Sequence, residues 1–239
     1  MERGKQTMTY VFSPAEIASV PVAESDKLFP IHRIFCVGRN YAAHAAEMGA
    51  EVDREAPWYF TKSPASYGAS GQTFPYPPGT QDYHHEVELI VALNGSAFRV
   101  SKEQADAVIF GYACGLDMTR RDLQQVGKDN RRPWDLGKDV ENAAIIGPIT
   151  PKADFGAPGA QTITLSVNGS QRQKGSLADM VWTVPEIISH LSHYYHLRAG
   201  DVIMTGTPSG VGPVKPGDVL HGEIDGLLPV TLTIGSPEE

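Results

Sequence analysis

Two glutamates enter a strand that is apolar on both sides in its second half, and few folds can accommodate that. Residues Tyr83-His84-His85-Glu86-Val87-Glu88-Leu89-Ile90-Val91-Ala92-Leu93 point alternately to opposite faces if extended. Glu86 and Glu88 then share a face with Ile90 and Ala92, while Val87, Leu89, Val91 and Leu93 face the other way. A strand apolar on both faces belongs inside a sheet. Two carboxylates on one side of it stay charged only if something positive sits between them, and a metal ion is the economical solution. The competing reading is a pair of solvent-facing glutamates on an edge strand before it turns inward. A second apolar segment, Ala113-Cys114-Gly115-Leu116-Asp117, ends in an acid just before a helix start, so Asp117 could supply a third oxygen. Three carboxylates without cysteine favour Mg²⁺ or Mn²⁺, with Ca²⁺ possible. His84 and His85 leave Zn²⁺ as the lesser alternative.

Around this strand the chain reads as short extended segments broken by turns, with 24 Gly and 18 Pro in 239 residues. Strands are expected at Ile31 to Val37, Trp58 to Thr61, Glu86 to Leu93, Tyr112 to Asp117, Thr162 to Val167, Asp201 to Gly206, Asp218 to Ile224 and Pro229 to Ile234. Asn168-Gly169 marks a hairpin, because both residues tolerate positive φ. Helices are few. Ser101 with Gln104 opens one expected to reach about Phe110, Thr119 with Asp122 a second, and Thr183-Val184-Pro185-Glu186 a third. In the third, Ile187, Ile188, Leu191, Tyr194 and Tyr195 follow helical spacing, and Gly200 is the expected stop. His190, His193 and His196 drift round that helix and read as surface or boundary residues.

Lys plus Arg number 20 and Asp plus Glu 28, a net charge of −8 with no long run of either sign. Nucleic acid and anionic membrane are poor partners for such a chain. A domain of this length buries roughly 70 to 75% of its unfolded surface and needs no disulfide. Cys36 and Cys114, each inside an apolar run, accordingly read as reduced buried thiols. Met1 to Val20 holds no apolar stretch long enough for a secretory signal, and no segment is long enough to span a bilayer. The expectation is a cytoplasmic protein acting on a small molecule.

Gly38-Arg39-Asn40-Tyr41-Ala42-Ala43-His44-Ala45-Ala46-Glu47-Met48-Gly49 reads as a short Ala-rich helix stopped by Gly49. His44 and Glu47 lie at i and i+3 and share a face. Such a pair suits a general base whose tautomer a carboxylate fixes, although surface pairs of this kind are common. Lys138 sits in a loop bounded by Gly and Pro, where a lysine is either solvated or functional. Thr205-Gly206-Thr207-Pro208-Ser209-Gly210-Val211-Gly212 could present backbone N–H groups to a carboxylate, but it has neither phosphate-loop nor Rossmann spacing.

These pieces jointly resemble the fumarylacetoacetate hydrolase family, in particular its acylpyruvate hydrolases. They are Gly38-Arg39-Asn40-Tyr41 with His44 and Glu47, Phe60-Thr61-Lys62-Ser63-Pro64, His84-His85-Glu86-Val87-Glu88-Leu89, Gly115-Leu116-Asp117-Met118-Thr119 with Arg121 and Gln124, Lys138, and the loop from Thr205 to Gly212. They occur in order over about residues 32 to 225. The resemblance implies an α+β, β-rich fold, a mixed β-roll of the family's C-terminal domain type, over 28–239, with 1–27 as a short N-terminal extension. It implies a divalent metal on Glu86, Glu88 and Asp117, and a lid-like segment carrying the His44/Glu47 dyad, with Lys138 as a further catalytic group. Arg39, Arg121, Gln124 and Thr207 would bind substrate. Lys62 could do so too, or simply pair with an acid.

Family members cleave carbon-carbon bonds in β-dicarbonyl acids, decarboxylate oxaloacetate, or isomerise and decarboxylate homoprotocatechuate ring-fission products, usually as homodimers. The implied substrate is a 2-oxo acid. First choice is 3-fumarylpyruvate, split into fumarate and pyruvate in gentisate breakdown. The alternative is oxaloacetate decarboxylation, or isomerisation and decarboxylation of 2-hydroxyhepta-2,4-diene-1,7-dioate.

Overall fold

Every residue of the Val87–Leu93 strand is buried, because it lies inside the principal sheet. The computed structural model describes residues 9–47, 49 and 54–238. The sheet runs Trp58–Lys62, Arg33–Gly38, Asp201–Met204, Val87–Leu93, Ile109–Asp117, Ala144–Ile146, Tyr67–Ala69, with Thr150–Pro151 also paired to Ile109–Asp117. Two of its pairings are parallel, Asp201–Met204 with Arg33–Gly38 and Ala144–Ile146 with Tyr67–Ala69, so the sheet is mixed. A second sheet runs Ser170–Ser176, Thr162–Val167, Val219–Ile224, Val230–Gly235, Gln72–Pro75. The architecture is the expected α+β, β-rich mixed β-roll.

The period-two reading of the central strand holds. Val87, Leu89, Val91 and Leu93 join a core with Ile163, Leu165, Leu220 and Leu232 of the second sheet and Ile187, Ile188 and Leu191 of a helix. Ile90 and Ala92 belong to a separate core on the opposite face, with Ile34, Cys36, Ala144, Val202 and Met204. The carboxylates therefore open onto the second face. Glu86 is not in the strand as expected. It fills a one-residue gap after Tyr83–His85, which belongs to a small sheet with Thr119–Arg120 and Gly212–Val214. Cys36 and Cys114 are free and buried, and burial pushes the Cys114 thiol up to about 12.

The segment before residue 28 is tied to this second face. Ser19–Pro21 pairs with Leu28–Pro30, and Val20, Val22 and Phe29 seat in the second core. Residues 1–8 of the expected extension lie outside the described residues.

Local signals fared unevenly. Asn168 and Gly169 take φ of 52° and 76° and join Thr162–Val167 to Ser170–Ser176. Ser101 and Gln104 form the expected capping box, but the helix Lys102–Ala105 ends in a single tight turn at Val108, because Ile109 already belongs to a strand. Thr119 caps nothing. It lies in a strand, its hydroxyl donates to the Asp117 carbonyl, and the helix Arg121–Asp129 starts after Arg120. The third helix, Val184–Ser192, is capped by Glu186 accepting from the Thr183 N–H. It stops eight residues before Gly200, where the chain turns to pair Leu197 with Ala97, which leaves Tyr194 and Tyr195 exposed beyond its end. His193 and His196 are exposed and His190 half-buried, as expected of a surface set.

Candidate active site

Adjacent strands bring the three expected carboxylates together. Glu88 pairs in register with Gly115, two residues from Asp117, and the Asp117 N–H donates to the Glu86 carbonyl at 2.8 Å. One ligand atom from each of Glu86, Glu88 and Asp117 lies within 4.8 Å of the others, and the residues are 5, 2 and 0% exposed. Gly115 cannot be replaced without conflict, since a Cβ there would meet Ile90 Cγ1 at 2.6 Å.

Three side-chain cations surround the cluster. Lys138 Nζ donates to Glu86 Oε2 at 2.8 Å, Asp117 Oδ2 at 2.8 Å and Thr119 Oγ1 at 2.7 Å. Arg121 donates to Glu86 Oε1, and to Gln124 Oε1 at 2.7 Å. Lys62 Nζ lies 2.9 Å from Asp117 Oδ1, in ion-pair range though outside hydrogen-bonding angles, and donates to the Met118 and Lys138 carbonyls.

The cations serve two acids and leave the third without one. Burial would raise the Glu86 carboxyl, but Lys138, Arg121 and His44 outweigh it and hold the group well below the usual range. Glu88 moves the opposite way: burial, then Asp117 and Glu86, push it well above the usual range. Its Oε2 accepts from the Gly206 N–H at 2.8 Å, and among the described residues no cation lies in ion-pair range of it, Lys138 acting only from farther off. A buried carboxylate beside two others, lacking a counter-charge, is the arrangement a bound cation would stabilise. The all-oxygen donor set fits a hard divalent cation. His84 and His85 do not join it. His84 Nε2 is 2.7 Å from Asp82, and His85 Nδ1 is 3.0 Å from Gln173 Oε1, so nitrogen ligation of zinc finds no support in the geometry.

His44 rides on the helix Ala42–Glu47 and is buried. Its Nδ1 lies 3.5 Å from Glu47 Oε2, within ion-pair range but longer than a formed hydrogen bond. Both Glu47 oxygens accept from the Gly210 N–H, at 3.1 and 3.0 Å. The Gly-rich loop thus does present N–H groups to carboxylates, but to the protein's own, Glu88 through Gly206 and Glu47 through Gly210. Gly206 has φ of 97°, and a Cβ there would meet Asn40 Cβ at 2.7 Å. Burial draws the His44 imidazole below its ordinary range; Glu86 and Glu47 oppose this, and Arg121 and Lys138 add to it.

One cavity is lined by His44, Glu86, Glu88, Asp117 and Lys138 together with Arg39, Arg121, Gln124 and Thr207. Glu47 stands behind His44 rather than in the wall. Lys62, considered for substrate binding, is also absent from the wall: its ammonium is fully buried against Asp117, which is the acid-pairing alternative. Lys128 and Trp134, not among the expected site residues, also line the cavity. A signal existed for Lys128, since it shares a helix face with Arg121 and Gln124 at i+7 and i+4.

Lys138→Met should cost about 3–5 kcal/mol, because it leaves Glu86 and Asp117 buried without a shared partner. Urea unfolding in EDTA measures this, and an unchanged midpoint would contradict the ion-pair geometry.

The Fumarylacetoacetate (FAA) hydrolase C-terminal family model matches residues 33–234. Over 197 residues the chain is 48% identical to a fumarylpyruvate hydrolase of a Ralstonia species, covering 80% of this chain and all of that one. It is 39% identical to an oxaloacetate tautomerase of Escherichia coli over 199 residues, 83% of this chain and 90% of the other. The fold superposes with a TM-score of 0.92 on the crystal structure of a fumarylpyruvate hydrolase from Pseudomonas aeruginosa in complex with Mn²⁺ and pyruvate, at 41% identity, covering 95% of this chain and 100% of that one.

Proposed function

Because the chain belongs to the fumarylacetoacetate hydrolase family, we propose that it is a metal-dependent hydrolase that splits 3-fumarylpyruvate into fumarate and pyruvate. The observation that carries this reading is the meeting, in one cavity, of an acidic cluster lacking a counter-charge with a buried imidazole backed by a carboxylate. The relatives named as fumarylpyruvate hydrolases support the substrate. The catalytic unit is 28–239, with 1–27 as an extension. A cytoplasmic homodimer and a place in gentisate breakdown belong to the same reading.

Glu86, Glu88 and Asp117 would hold Mg²⁺ or Mn²⁺, or less favourably Ca²⁺. Bound there, the ion supplies Lewis acidity that fixes the 2-oxo acid end and offsets charge on the pyruvate fragment. His44, kept neutral by burial and oriented by Glu47, takes a proton from water as the water oxygen bonds to the carbonyl carbon two positions beyond the 2-oxo group. The carbon-carbon bond then breaks towards the pyruvate side. A proton returned to the former methylene carbon next to the 2-oxo group completes pyruvate, and the attacked carbonyl, now a carboxylate, leaves with the acyl half as fumarate. Lys138 has its three protons committed to Glu86, Asp117 and Thr119, so it lowers the cost of negative charge through its field rather than by donating to the oxyanion. Gln124 and Thr207 would orient the near carboxylate, with Arg121 holding Gln124 in place.

The relatives named as oxaloacetate tautomerases favour a second reading, proton transfer on oxaloacetate with no attacking water. A panel of 3-fumarylpyruvate, acetylpyruvate, its methyl ester and oxaloacetate separates the two. Pyruvate release from the acylpyruvates, with the ester at least tenfold slower than the acid, supports the hydrolase. An ester hydrolysed as fast as the acid would rule out recognition through the free 2-oxo acid end. Keto-enol interconversion of oxaloacetate without acylpyruvate cleavage would establish the tautomerase.

A further inference from the structure

The cations facing the cavity fall into two sets. Arg121 and Lys138 are engaged with the carboxylate cluster, and Lys62 reinforces it from behind. All three are spent on Glu86 and Asp117. Arg39 and Lys128 are different. Among the described residues neither has a carboxylate in ion-pair range, and each lies over an indole instead. The Arg39 guanidinium is 5.1 Å from the Trp58 ring centre and Lys128 Nζ is 5.4 Å from that of Trp134. The two indoles stack on each other at 5.6 Å, so one aromatic wall carries both cations.

Two further observations mark these positions. Arg39 holds φ of 59°, a left-handed conformation unfavourable for a non-glycine residue that persists where surroundings enforce it. Lys128 is half-buried, and burial, Arg121 and Arg39 all draw its ammonium below the ordinary range. Glu86 opposes this only in part, from beyond ion-pair range, so Lys128 sits in a corner where positive charge predominates. A divalent ion added at the acidic cluster would make the cavity more positive still, and the single carboxylate of a 2-oxo acid end would not balance it.

We infer that Arg39 and Lys128, mounted on Trp58 and Trp134, form a second anion subsite that takes the distal carboxylate of a dianionic 2-oxo acid. The protein thereby selects substrates charged at both ends over those ending in an alkyl group. The inference rests on the proposed hydrolase reading for what occupies the near end.

Calorimetry on the full chain loaded with Mn²⁺ tests it with 2-oxoheptanedioate and 2-oxoheptanoate. These match the seven-carbon length of 3-fumarylpyruvate, differ in the distal carboxylate, and lack the second carbonyl needed for cleavage. A charge-assisted contact contributes about 1.5–3 kcal/mol, so the diacid should bind at least tenfold tighter. Lys128→Gln should bring that ratio below about threefold, and Lys128→Arg should retain it. If Lys128→Gln does not fold, Arg39→Gln makes the same test. A wild-type ratio near one, or a ratio unchanged in the Gln variant, would overturn the subsite. A variant that only disturbs packing weakens both acids alike and keeps the ratio. Failure to hydrolyse 3-fumarylpyruvate would remove the proposed activity without altering this ratio, so the two failures are distinguishable.

Discussion

Glu88→Gln is expected to lower turnover by about 10³-fold or more while the fold survives. A Lewis-acid ion contributes several kcal/mol to such a reaction, and each 1.36 kcal/mol is tenfold in rate. Glu88 supplies the one buried carboxylate of the cluster that has no cationic partner among the described residues. Burial, Asp117 and Glu86 all act against its charged form without an ion, and glutamine is close to an isostere of the neutral form. In EDTA the variant should therefore unfold at a Tm equal to or above that of the wild type. Adding Mn²⁺ at 100 times Kd should stabilise the wild type by about 2.7 kcal/mol and leave the variant unmoved. A variant that kept both full turnover and the metal-dependent rise in Tm would remove Glu88 from the site.

His44→Ala is expected to lower the hydrolytic rate by about 10²–10⁴-fold, the range for a positioned general base. Metal binding should persist, because His44 is not one of the three clustered acids. The sign of the pH dependence follows from burial. Protonation removes the base, and burial draws that protonation below the ordinary imidazole range. The wild-type kcat/KM should thus stay level through neutral pH and fall only as pH drops through the lowered value. The residual activity of His44→Ala should lack that acidic limb. Wild-type rates in the variant, or an acidic limb that survives in it, would assign the base elsewhere.

What could be read from the sequence was what local rules determine. Alternation along residues 86–93 placed the acids on one face, and Asn168-Gly169 and the capping boxes at Ser101 and Thr183 need only their near neighbours. The acids stood out because carboxylates in an apolar strand are rare, whereas the His44/Glu47 couple, of a kind common on surfaces, gained weight only from the family resemblance of the ordered motifs around it. Partner choice was not legible, since it is settled by tertiary contact. Lys62 meets Asp117 from 55 residues away in sequence, and Lys138 meets Glu86 from 52. The end of the third helix depended on the Leu197 pairing with Ala97, which helical spacing does not register. Lys128 stayed hidden because its importance lies in the indole beneath it and in the guanidinium groups beside it.

Product analysis of 3-fumarylpyruvate incubated with the Mn²⁺-loaded protein and, in parallel, with the protein in EDTA is the most direct test of metal-dependent hydrolysis at this cavity. The loaded protein should release one equivalent each of fumarate and pyruvate per substrate consumed, with neither product formed above background in EDTA. Equal release in EDTA would contradict the role of the acidic cluster, and consumption of substrate without pyruvate would contradict carbon-carbon hydrolysis.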